Sequence, residues 1–304
     1  MKKVPHEAEA IAKSPAARPR GVQARSWMHV RAISYPLAVA SGTTRIIEAG
    51  EGPAVLFVHG FGARADRWRS TVERFGAKGY RAIAFDLPGH GFASRDANGP
   101  CTVPEIAGHL LALMDALAVE HAPLVGTSLG AHIVAHAATR APHRVPGLVL
   151  IGALGIVPIA KEVAETIRRN VQVREREQFA NKLRFVIHDP AMVTQQLIEE
   201  EWRTNTAPGV VEAFVRIGNY LVDGIAGDYV AEKIRNLYGP ERVLLIWGAD
   251  DRAVPAAVGE ACREALGAPL IFIKNANHVP YWEQPAAFDA AVLPFLASLL
   301  PRSA

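Results

Sequence analysis

Short, uninterrupted apolar runs punctuate the chain from residue 29 onward. Val55-Leu56-Phe57-Val58 ends at His59-Gly60, and Arg81-Ala82-Ile83-Ala84-Phe85 ends at Asp86-Leu87-Pro88-Gly89. Leu124-Val125-Gly126, Leu148-Val149-Leu150-Ile151, Val243-Leu244-Leu245-Ile246-Trp247 and Leu270-Ile271-Phe272-Ile273 follow. Continuous rather than alternating runs suit strands covered on both faces, as in a parallel sheet. Val30–Ile47 adds antiparallel strands at one edge. Helical patterns separate the runs, notably Leu129–Arg140, Gln284–Leu300 and Thr102–Val119, the last opening on Thr102 with Glu105 three residues on, a capping-box pattern. The pattern predicts an α/β fold, a mostly parallel sheet with helices on both faces. Ligands of such sheets sit at the carboxyl ends of the strands, so the informative residues should follow each run.

One stretch breaks the alternation. Residues 156–228 read as successive helices (Ile159–Arg176, Ala191–Arg203, Gly209–Leu221) and are too long for an ordinary crossover. They predict a helical cap over the crevice. The chain then divides into a tail (1–28), a first core part (29–155), the cap (156–228) and a second core part (229–304).

Composition narrows the classes. The 304 residues are 50% hydrophobic and 21% charged, which is globular. The formal charge of +3 is uneven: residues 1–26 carry +4 and the remainder −1. A near-neutral body offers no electrostatic footprint for nucleic acid. The basic start lacks the apolar segment of a signal peptide and reads as a flexible, solvated tail. No run reaches the roughly 18 apolar residues of a membrane span. Cys101 and Cys262 are too few for a disulfide scaffold, and a cytoplasmic location is expected.

The chemistry centres on Gly126-Thr127-Ser128-Leu129-Gly130, a G-x-S-x-G segment at a strand-to-helix junction. Glycines two residues either side give the clearance a sharp turn needs. The turn lifts the serine Oγ out of the sheet and leaves the Leu129 N–H facing the same point. A serine hydroxyl needs a base, oriented in turn by an acid. His278 follows the last strand. After the preceding strand, Asp250 and Asp251 both offer a carboxylate, whereas no acidic residue occurs from Val145 to Ala160.

With these pieces the sequence resembles the α/β-hydrolase superfamily, in its cap-bearing branch, from about residue 29 to 300. The resemblance rests on His59-Gly60-Phe61-Gly62, Asp86-Leu87-Pro88-Gly89-His90-Gly91, the turn at Ser128, Gly248–Pro255 and His278-Val279-Pro280. It implies an α/β-hydrolase fold with Ser128 as nucleophile, His278 as base and Asp251 as acid. The last follows because the family's acid stands three after a glycine and four before a proline. It further implies the Phe61 N–H as second oxyanion donor and structural roles for His59 and His90. No metal or organic cofactor is called for.

Phe61, Thr127, Leu129, Trp247, Val254 and Val279 are expected around the reacting carbon, making a pocket for uncharged, apolar groups. His132 and His136 have zinc-ligand spacing, but Ile133 replaces the glutamate of H-E-x-x-H, so they read as packed or surface histidines. Cys101 has no base beside it. Asp86 is expected to order its own turn, and Tyr281, Trp282 and Glu283 to support the His278 loop. The arginines at 168, 169, 174, 176 and 184 read as a solvated face of the cap. The first expectation is a serine hydrolase of small or medium carboxylic esters, acting on a small-molecule substrate. The alternatives are a carbon–carbon bond hydrolase of ring-cleavage products and a non-catalytic ligand-binding protein. The carbon–carbon family shows Trp after its histidine and a cap arginine, and position 279 here is Val. Ser128 stands where a dehalogenase or epoxide hydrolase carries Asp.

Overall fold

The computed structural model describes residues 30–299. The predicted tail, residues 1–28, lies outside the described residues. The strands are β1 (Ile33–Val39), β2 (Gly42–Ala49), β3 (Ala54–Val58), β4 (Arg81–Phe85), β5 (Leu124–Thr127), β6 (Leu148–Ile151), β7 (Val243–Gly248) and β8 (Leu270–Ile273). They form one eight-stranded sheet in the order β1-β2-β4-β3-β5-β6-β7-β8. β1 and β2 pair antiparallel, as does β2 with β4, and every later pairing is parallel. β5, β6 and β7 are buried at every position, whereas the outer strands β1 and β8 are partly exposed. Continuous apolar runs therefore fill the middle of the sheet.

Alternate residues feed the two faces. Leu56 and Val58 pack with α2 (Val103–Ala116) and α3 (Leu129–Arg140), while Val55 and Phe57 pack with α1 (Arg69–Gly76) and α11 (Pro285–Leu299). Burying each such side chain contributes about 1.5–3 kcal/mol, which explains why both faces are covered. Local signals agree with this packing: the Thr102 Oγ1 accepts from the Glu105 N–H, and the Glu105 carboxylate accepts from the Thr102 N–H at 3.0 Å.

Between β6 and β7 the chain contains no strand. It runs through α4 (Lys161–Val171), α5 (Arg176–Val186), α6 (Gln195–Asn205), α7 (Val210–Asn219) and α8 (Ala231–Leu237). The helix expected over Ile159–Arg176 is shorter, and α5 follows it as a helix that the sequence pattern did not predict. α4 stops at Val171, and α5 opens where the Gln178 Oε1 accepts from the N–H groups of Arg174 and Glu175, both at 2.9 Å. A Glu-x-x-Gln start lacks the usual Ser, Thr, Asp or Asn cap, so the break carries little sequence signal. The sheet is completed by α9 (Ala256–Leu266) after β7 and the short α10 (Pro280–Glu283) after β8.

Candidate active site

The turn between β5 and α3 holds Ser128 at φ 57°, ψ −121°, far from the regions favoured by L-residues. Close packing imposes the flanking glycines. A Cβ on Gly126 would lie 2.4 Å from the Gly130 carbonyl oxygen, and one on Gly130 would lie 2.4 Å from that of Val58. The Ser128 N–H donates to the Ile151 carbonyl of the neighbouring strand at 2.8 Å. That bond ties the strained residue to the sheet, and the residue is 7% exposed. Leu129 is the first residue of α3, so its N–H has no acceptor within the helix.

His278 follows β8, and its Nδ1 lies 2.8 Å from Asp251 Oδ2. Asp251 follows β7 and is fixed by two further bonds, its Oδ1 accepting from the N–H groups of Ala253 and Val254 at 2.9 Å each. Burial pushes the His278 imidazole down, but the charge and hydrogen bond of Asp251 outweigh it and hold the ring above the ordinary histidine value. With the carboxylate at Nδ1, the proton sits there and Nε2 is the free base. Asp250 is half-exposed and pairs instead with His188 Nδ1 at 3.1 Å.

Ser128 and His278 line one cavity. Gly60, Phe61, Gly62, Thr127, Leu183, Val186, Ile187, Val279, Tyr281 and Trp282 complete most of its wall. Leu129 does not line the cavity, because its side chain is buried in the core. Trp247 and Val254 do not line it, contrary to the sequence expectation. The Trp247 indole N–H donates to the Val254 carbonyl at 2.9 Å, and the ring packs against Gly259 of α9, so both residues form core behind the acid loop.

The pocket expected to favour uncharged, apolar groups also has charged side chains in its wall. Arg67, Lys182 and Glu201 contribute charged side chains to one end of the wall. They come from segments far apart in the chain and remain buried because they satisfy one another. The Glu201 carboxylate accepts from Arg67 at 2.9 Å, Arg64 at 3.2 Å and Asn205 at 3.2 Å, with Lys182 Nζ at 3.5 Å. Burial would raise the Glu201 carboxyl, but the surrounding cations outweigh it and keep it ionised. Sequence reading also missed Asn277, which bridges the acid and histidine loops by accepting from the Arg252 N–H at 2.9 Å.

The other singled-out residues serve the scaffold. His59 Nε2 accepts from the Leu87 N–H at 3.0 Å, and Asp86 accepts from the N–H groups of Ala65 and Phe92. His132 Nε2 lies 2.7 Å from the Asp228 carbonyl oxygen. The Glu283 carboxylate accepts from the N–H groups of His188 and Asn277 and so braces the turn before His278. Among the described residues no cluster of three His, Cys, Asp or Glu side chains could hold a metal, and no helix is long and apolar enough to cross a membrane.

A mostly parallel sheet with a serine on a sharp strand–helix turn, sharing a cavity with a histidine–carboxylate pair, defines the architecture of an alpha/beta hydrolase. The family model for the alpha/beta hydrolase fold matches residues 53–285, and the chain belongs to that family. It is 30% identical over 244 residues to the dihydrolipoyllysine-residue acetyltransferase component of the acetoin cleaving system of Cupriavidus necator, with 80% of this chain and 63% of the relative aligned. The chain thus spans less than two thirds of that relative. It is also 30% identical over 274 residues to a 2-hydroxymuconate semialdehyde hydrolase of Pseudomonas sp., covering 87% of this chain and 94% of the relative. Among solved structures, a meta-cleavage product hydrolase from Pseudomonas fluorescens superposes with a TM-score of 0.78 at 26% identity, covering 88% of this chain and 98% of that one.

Proposed function

We propose that the protein is a serine hydrolase that cleaves carboxylic esters of small or medium size through an acyl-enzyme. The observation that carries this reading is a strained Ser128 opening into the cavity lined by His278, whose Nδ1 is held by buried Asp251. Ser128 Oγ attacks the ester carbonyl carbon while His278 Nε2 takes its proton. The oxyanion is met by the N–H groups of Phe61 and Leu129, each such donor being worth about 3–4 kcal/mol. His278 returns the proton to the leaving alcohol. It then takes a proton from water, whose oxygen attacks the acyl carbon, and gives it back to Ser128 as the acid departs. Asp251 holds the imidazole in the required tautomer and stabilises the imidazolium. The helical insertion acts as the cap, contributing Leu183, Val186 and Ile187 as an apolar wall for the acyl or alcohol group.

The meta-cleavage relatives favour a second reading, hydrolysis of a carbon–carbon bond in a vinylogous ring-cleavage product. Two features weigh against it: Val279 follows the histidine, and no arginine of the insertion lines the cavity. The acetyltransferase relatives fit an acyl-enzyme too, because the acceptor alone decides between hydrolysis and transfer. Kinetics on p-nitrophenyl esters of stepped acyl length, beside a 2-hydroxy-6-oxo-dienoate, test the choice. Ester turnover that Ser128→Ala abolishes, with kcat/KM at least tenfold above that for the dienoate, supports the ester reading. The reverse ratio replaces it.

A further inference from the structure

Three helices of the insertion converge on Gly62 of the oxyanion loop. Gly60-Phe61-Gly62-Ala63 is a tight turn closed by the Ala63 N–H donating to the Gly60 carbonyl at 3.2 Å, with Gly62 at φ +69°. The turn moves as a unit, so whatever holds Gly62 also holds the Phe61 N–H. The Gly62 carbonyl accepts from Lys182 Nζ of α5 at 2.9 Å and from Asn205 Nδ2 of α6 at 3.0 Å. Val171 of α4 packs so closely that a Cβ on Gly62 would lie 2.4 Å from its Cγ1. Glu201 orients both donors and is itself pinned by Arg64 and Arg67.

The other end of α5 reaches the base. A helix leaves its last carbonyls without intrahelical partners, and here the loops of the site supply the donors. The His278 N–H donates to the Val186 carbonyl at 3.2 Å and Asn277 Nδ2 to that of Phe185 at 2.9 Å. The Arg252 guanidinium donates to the carbonyls of Arg184 and Ile187 at 2.8 and 2.9 Å. Lys182 and Val186 are one turn apart, about 6 Å along the axis.

From this we infer that α5 is a strut that sets the spacing between the oxyanion loop and the histidine loop, with Lys182 and Asn205 as positioning residues for the Phe61 N–H. The inference rests on the serine-hydrolase reading and adds that the insertion assembles the catalytic geometry as well as walling the pocket. Neither side chain need touch substrate. Their loss should weaken stabilisation of the transition state and leave ground-state binding alone.

The test uses the full chain with Lys182→Met and Asn205→Leu, each replacing a donor by an apolar group of similar size. Glu201 keeps its arginine partners in both. A fluorophosphonate probe first establishes Ser128 labelling of the parent protein; its failure there overturns the hydrolase reading, and this inference with it. With labelling established, kcat and KM are measured on a p-nitrophenyl ester, together with Ki for an alkyl trifluoromethyl ketone, whose adduct carries an oxyanion. Each variant is expected to lose about tenfold in kcat, a fraction of the 10²–10³ lost with a whole donor. KM should stay within twofold, and Ki should rise in proportion to the fall in kcat/KM. Unchanged kcat and Ki would overturn the strut, as would a raised KM at constant kcat, which marks a pocket wall. Asn205→Leu reads the same carbonyl independently should Lys182→Met fail to fold.

Discussion

Replacing Asp251 by Asn separates the proposed acid from its neighbour with a single amide. Asp251 Oδ1 accepts two backbone N–H bonds, from Ala253 and Val254, and Oδ2 faces His278 Nδ1 at 2.8 Å. An asparagine must keep its carbonyl oxygen on the two N–H groups, which turns its NH₂ toward the imidazole. Nδ1 is then forced to accept, the proton moves to Nε2, and the base is lost. In the serine-protease constellation the same change costs about 10⁴ in kcat, or about 5 kcal/mol of barrier. Because Asp251 offsets the effect of burial on His278, the residual activity should keep its base neutral to lower pH. The acid limb of kcat/KM therefore moves toward acid in the variant. Asp250→Asn removes only a half-exposed partner of His188, an interaction worth no more than about 1 kcal/mol, and should leave kcat within twofold. Steady-state ester hydrolysis from pH 4.5 to 9 reads both effects. Asp251→Asn retaining more than a tenth of the parent kcat, or Asp250→Asn falling as far, would refute the assignment.

Two further outcomes follow from buried groups. Burial lowers His59, His109 and His132 to about 4 and His90 to about 3, from an ordinary value of 6.5. Between pH 6.5 and 4 the unfolded chain binds more protons, so stability is full above 6.5 and falls with pH. At pH 5 each of the four costs about 2 kcal/mol, about 8 in all, against a typical total of 5–15 kcal/mol. His278, raised in the folded state, opposes this only in part. Thermal unfolding followed by circular dichroism should show a Tm about 10 °C lower at pH 5 than at pH 7; equal values would contradict the burial argument. Gly152→Ala places a methyl 3.0 Å from both Asp251 Oδ2 and the His278 ring, at a residue with φ +47°. It should lower kcat by about 10²-fold through misplacement of the base while the protein stays folded, and near-parental kcat would mean that the pair tolerates displacement.

The sheet was legible because its central strands are buried on both faces, which writes them as unbroken apolar runs. Ser128, Asp251 and His278, the proposed triad, could be singled out because they follow β5, β7 and β8, where position along the chain translates into position at one edge. Trp247 and Val254 flank the acid in sequence yet point into the core, since neighbouring residues on a strand or tight loop face opposite ways. Helix α5 was not legible, as its start depends on a Gln178 side chain instead of a recognised cap. Lys182, Glu201, Asn205 and Arg67 carried no signal in the sequence. Only tertiary packing buries them together, and no local spacing encodes that. Gly152 was equally silent, its role being the absence of a side chain beside a pair contributed by two distant loops.

The most direct measurement is a rapid-quench mixing of stoichiometric protein with a p-nitrophenyl ester, followed by mass analysis of the digested chain. A burst of p-nitrophenol equal to the enzyme concentration is expected, with a single acyl group on the peptide containing Ser128, absent from Ser128→Ala. Turnover with no burst and no acyl group at position 128 would contradict it.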